Sequence, residues 1–149
     1  MKNIFLILAI LLFGYSASAQ NTNILLTNYY EVKNALVNSQ TQLASEAIIN
    51  LQKGINSSGD FKQKADLNKA VDKLEKAKDL EKQRAAFNEV STTLWQILKS
   101  TDKVNSLVYY QYCPMKKAYW LSNEKEIKNP YYGSTMLNCG SVVQINNPS

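Results

Sequence analysis

The sequence predicts a mainly α protein: an up-and-down antiparallel four-helix bundle with a C-terminal irregular lobe that has room for a short β-hairpin. Two observations carry this. From Asn23 to about Leu98 the apolar residues recur at helical spacing in four stretches separated by turn-forming clusters. After Lys103 the period fades, and β-branched and aromatic residues, Pro and Gly take over.

The first stretch carries Leu25, Tyr29, Val32 and Leu36 on one stripe and ends near Asn38-Ser39, residue types suited to capping the helix that follows. The second places Leu43, Ala47 and Leu51 together, with Ile48 and Ile55 beside them, and stops in the Gly, Ser and Asn cluster from Gly54 to Gly59. Asp60 and Gln63 have capping-box spacing for a third helix that turns Phe61, Leu67, Val71 and Leu74 inward. A fourth begins near Asp79 or Leu80 and carries Phe87, Val90, Leu94, Ile97 and Leu98. No Gly or Pro separates the third from the fourth, so one long bent helix is the alternative. In the tail, 104–110 and 141–145 read as strands, and the stretch between them as turns with aromatic packing.

Residues 1–19 read as a secretory signal peptide: a basic Lys2, an apolar run from Ile4 through Phe13, and Ala17-Ser18-Ala19 as a cleavage site. The expected compartment is therefore periplasmic or secreted, and a lipoprotein is not expected because residue 20 is Gln. No later segment is long and apolar enough for a stable membrane span. Residues 20–149 then form a single domain, with the lobe at 104–146. Its charge is 16 Lys and Arg against 12 Asp and Glu once Lys2 is removed, or +4. So mild an excess argues against nucleic acid as a partner, and the mixed charges from Lys73 to Arg84 read as a solvated helix face.

All sulfur beyond Met1 lies in the tail, as Cys113-Pro114-Met115 and Met136-Leu137-Asn138-Cys139. Two thiolates and two thioethers are a soft donor set that selects Cu(I) or Ag(I). The chain has no His, which removes the imidazole sites of Zn(II), Cu(II) and haem. Cys113, Met115, Met136 and Cys139 are thus the candidate metal ligands. The rival is a Cys113–Cys139 disulfide closing the lobe of a structural or protein-interaction module, worth about 3 kcal/mol for such a loop. A further rival makes Met115 and Met136 simple core fillers. Trp120 lying over a bound cation is the less economical alternative to aromatic packing.

No catalytic residues are expected. A cysteine nucleophile would have no His base, the two Cys form no Cys-x-x-Cys motif, and no Gly-rich phosphate loop occurs.

The segments Tyr110-Gln111-Tyr112-Cys113-Pro114-Met115, Tyr119-Trp120-Leu121-Ser122, Ile127-Lys128-Asn129-Pro130-Tyr131-Tyr132-Gly133 and Met136-Leu137-Asn138-Cys139-Gly140 resemble an uncharacterised exported domain family. That family also occurs fused to copper/silver efflux adaptors of the RND membrane-fusion class. The resemblance extends to Gln83-Arg84-Ala85-Ala86-Phe87 and Ser91. It implies a helical bundle in a metal-linked setting and an envelope metal-efflux component as partner. It implies no reaction.

Overall fold

The computed structural model describes residues 22–100 and 104–148. The signal-peptide reading lies outside them. Among the described residues there are four helices: α1 over 22–37, α2 (Thr41–Ser57), α3 (Lys64–Glu75) and α4 (Leu80–Lys99). The tail forms β1 (Val108–Cys113), β2 (Ala118–Ser122), a 3₁₀ turn (Gly133–Thr135) and β3 (Ser141–Asn146). No helix among the described residues is long and apolar enough to cross a membrane.

The helical stripes hold where burial is concerned. Leu25, Tyr29, Val32 and Leu36 are all buried, as are Ala47, Ile48, Leu51 and Ile55. Leu43 departs from its stripe and is half exposed. The expected caps also differ. Gln40 precedes α2 without a side-chain cap, while Ser39 takes a left-handed φ of 58° in the connecting turn. The Asp60/Gln63 capping box is not formed: Gln63 itself is the N-cap residue and α3 starts at Lys64, with Lys64 N–H bonded to Phe61 O at 3.0 Å. Local turn formation there outcompetes the earlier start. The alternative of one long bent helix is excluded, because the chain leaves α3 after Glu75 and Asp79 caps α4 by accepting from Lys82 N–H at 2.9 Å.

The tail is more regular than its composition suggests. β1 pairs antiparallel with both neighbours, giving the order β2-β1-β3. Ala118–Ser122 was expected as turn and is a strand. The first strand starts at Val108, four residues later than expected, while Val104 is buried before it. Sheet and helices share one apolar cluster in which Phe87, Leu94 and Leu98 of α4 join Val108, Trp120, Leu121 and Tyr131. At its centre Tyr29 stacks on Phe87 with ring centroids 5.0 Å apart. The Tyr29 hydroxyl lies 2.7 Å from Ser91 Oγ and accepts from Leu121 N–H at 3.0 Å, tying α1, α4 and β2 together.

Tyr29→Phe therefore leaves the buried Leu121 amide without its acceptor. The expected result is a loss of about 2 kcal/mol, measured as a lower urea midpoint at unchanged m-value.

Candidate metal centre

Cys113 ends β1, and residues 114–117 turn the chain into β2, where Cys113 pairs with Ala118. Cys139 follows the 3₁₀ turn and stands two residues before β3, whose Ser141 pairs with Tyr112. β1 is therefore the common element, and its pairing on both sides brings the two units together. The Sγ atoms of Cys113 and Cys139 are 3.2 Å apart, and both are free thiols.

The two thiols are inequivalent. Cys113 is fully buried, and burial alone would raise it. The Lys116 amide, the Cys139 thiol, the Asn129 carboxamide and the Met115 amide outweigh that and hold it below the usual thiol value. Cys139, half-buried, is pushed up chiefly by its hydrogen bond to Cys113, with burial adding to this. Of the two thiols, Cys113 is therefore the first to give up its proton, and Cys139 holds its own more firmly.

Met115 is 62 % exposed, which rules out the core-filler reading for that residue. Its amide faces both sulfurs, so its backbone sits at the pair. Met136 is partly buried, and its carbonyl accepts from Cys139 N–H at 3.1 Å. Among the described residues no group of three or more His, Cys, Asp or Glu gathers. Any donor beyond the two thiols must therefore be a thioether, a backbone carbonyl or an exogenous ligand. Trp120 is fully buried and meets Tyr131 edge-on at 6.1 Å, so aromatic packing is its role.

Three positioning residues escape sequence reading. Asn129 is fully buried, donates to Cys139 O at 2.6 Å and accepts from Tyr131 N–H at 2.8 Å, which fixes the Cys139 segment. Gln111, also fully buried, reaches the carbonyls of Glu124, Lys125 and Glu126 at 3.1–3.4 Å. Arg84, assigned to a solvated face by its neighbours, donates to Leu36 O and Pro130 O at 2.8 Å each and to Ser39 Oγ at 3.0 Å. Asn129 is marked by its place before Pro130 and by the resembling segment 127–133, neither of which assigns it a role. The other two depend on contacts distant in sequence.

The family profile described as Protein of unknown function (DUF3347) matches residues 25–106. The chain belongs to this family. The match takes in α1 from Leu25 onward and all of α2, α3 and α4, and it ends before β1, so the sulfur pair lies outside the matched residues. Neither a curated protein nor a solved structure matches the chain.

Proposed function

We propose that this DUF3347 chain is an exported, non-enzymatic soft-metal protein that holds Cu(I) or Ag(I) at Cys113 and Cys139, with Met115 and Met136 as thioether donors. The observation that carries the reading is the 3.2 Å separation of two free sulfurs. A metal–sulfur bond of about 2.3 Å at a tetrahedral angle puts two thiolates about 3.8 Å apart, whereas a disulfide needs about 2.05 Å. Metal capture requires the smaller displacement from the separation found. The lowered Cys113 thiol supports it by reducing the proton competition that a thiolate ligand faces. The donor chemistry fits a soft monovalent ion, and the role is buffering or delivery to an envelope metal-efflux component. Short connections at 38–40, 58–63 and 76–79 support an up-and-down antiparallel order for the four helices.

The proximity of the two sulfurs also permits a second reading, in which the pair closes by about 1.1 Å to a disulfide that joins residues 26 apart and stiffens an interaction module. Competition for Cu(I) against a chromogenic chelator, under reductant, separates the two. Tight binding is expected in the wild type, weakened about tenfold, or about 1.4 kcal/mol, in Met115→Leu or Met136→Leu. Unchanged affinity in both variants removes the thioethers from the site. Cysteines that stay oxidised under mild reduction overturn the metal reading altogether.

A further inference from the structure

A second recess adjoins the sulfur turn and has a different chemistry. It is a cleft of about 430 Å³ between α4 and the β1–β2 turn, lined by Glu81, Arg84, Asn88, Lys116, Lys117 and Tyr131, among others. That volume lies in the range of small-molecule sites. Three cations meet one carboxylate along its wall.

The cations are not neutralised locally. Arg84 donates to two carbonyls and a hydroxyl, all of them neutral, and burial lowers its pKa while Glu81 partly restores it. Among the described residues, the ion pairs involve Lys73, Lys82 and Lys128 and none of the three cations of the cleft. Lys116 rests its ammonium 4.8 Å from the centre of the Tyr132 ring, a contact that leaves its charge uncompensated by an anion. Lys117 is held in the left-handed region with a φ of 51°, at the corner of the turn where the chain reverses.

Asn88 supplies an oriented neutral donor. Its carboxamide oxygen accepts from Tyr119 N–H at 2.8 Å, which fixes the oxygen toward β2 and leaves the two amide hydrogens as its remaining capacity. The cleft thus offers ammonium, guanidinium and amide donors, a single acidic side chain at its edge, and an apolar wall from Ala85, Ala118 and Tyr131. Such a donor-rich, acceptor-poor recess is complementary to a small oxyanion.

We infer that the cleft between α4 and the β1–β2 turn is a binding site for a small organic oxyanion, a carboxylate or phosphate ester, held by Lys116, Lys117 and the Asn88 amide. Tyr131 and the two alanines take its apolar body. Its lining side chains are distinct from the Cys113/Cys139 pair, and the two sites adjoin at Lys116, whose amide faces Cys113 while its ammonium faces the cleft; titration without any metal present reads anion binding alone.

Isothermal titration of the purified protein at low ionic strength, with inorganic phosphate, citrate and phenyl phosphate as probes and chloride as the ionic control, tests this. Saturable heats are expected with an organic oxyanion and none with chloride, and phenyl phosphate is expected to bind more tightly than inorganic phosphate because the apolar wall takes its ring; inorganic phosphate binding as tightly as phenyl phosphate and citrate would overturn the organic assignment. Asn88→Asp keeps the acceptor for Tyr119 N–H while replacing the donor with a charge of the wrong sign, and Lys117→Ala removes one cation from an exposed position. Each is expected to weaken binding about tenfold or more, with an unchanged far-UV spectrum to show that the fold persists. Absence of saturable binding for all three probes overturns the proposal. So does binding that survives both substitutions undiminished.

Discussion

Lys33→Met is expected to stabilise the protein by about 3 kcal/mol at pH 7, and the gain is expected to vanish above about pH 10.5. Lys33 lies on α1, is 1 % exposed, and among the described residues donates to Ser122 Oγ at 3.3 Å. Burial pushes its pKa from the usual 10.5 down to about 8, against a partial restoring pull from Glu124 and with a small further lowering by Lys128. The Tyr30 ring centre lies 5.6 Å from the ammonium, and burial raises the Tyr30 phenol, so that group stays neutral through the window that matters. Below pH 8 both folded and unfolded chains carry the charge, and folding bears the full desolvation penalty. Between 8 and 10.5 the unfolded chain holds a proton that the folded chain has released, so stability rises with pH by about 1.4 kcal/mol per unit. Above 10.5 the lysine is neutral in both states and the penalty is gone. Met matches the length and carries no charge to desolvate, while Ser122 Oγ keeps its bond from Glu124 N–H at 3.1 Å. Urea unfolding of wild type and variant at intervals from pH 7 to 11 gives the difference directly. A flat difference across that range would show that Lys33 keeps its proton in the fold and that the penalty was misassigned.

The same lysine shows where sequence reading stops. Val32 and Leu36, its neighbours on the helix, were placed by periodicity and are buried. Lys33 sits between them, and the default for a charged residue is solvent, yet β2 and the 122–128 segment cover it. Arg84 fails in the same way, because the groups that receive its hydrogen bonds lie 45 to 48 residues away. Periodicity reports how much of a helix is covered and says nothing of what a distant loop brings over its flank. The strand Ala118–Ser122 was missed for a related reason: it is buried almost throughout, in a pattern without alternation, so a period of two never appears. Sulfur was legible because it is scarce. Cys113 and Cys139 stand out by composition alone, and the two paired edges of β1 then bring them within 3.2 Å. Asn129, which holds the Cys139 segment, had no such rarity to mark it.

Gly140→Ala tests whether that convergence depends on one backbone position. Gly140 follows Cys139 and takes a φ of 147°, a region that side chains other than hydrogen rarely tolerate. A Cβ there would stand 2.7 Å from Cη2 of Trp120 and 2.8 Å from the Tyr112 carbonyl oxygen. Neither obstacle yields easily. The Trp120 ring is fully buried, and the carbonyl belongs to β1, which is paired on both edges. Conformational strain and overpacking then add, for an expected loss of about 3 kcal/mol. Because β1 is fixed, the chain that moves is the Cys139 segment, which shifts away from Cys113. Two readouts follow: a lower urea midpoint, and faster reaction of Cys139 with a chromogenic disulfide reagent in folded protein, since its thiol loses the hydrogen bond that raises its pKa. A loss of stability with an unchanged thiol rate would mean that Trp120 and the sheet give way instead. The sulfur pair would then be set by Asn129 and the 3₁₀ turn, and Gly140 would serve only the packing of Trp120.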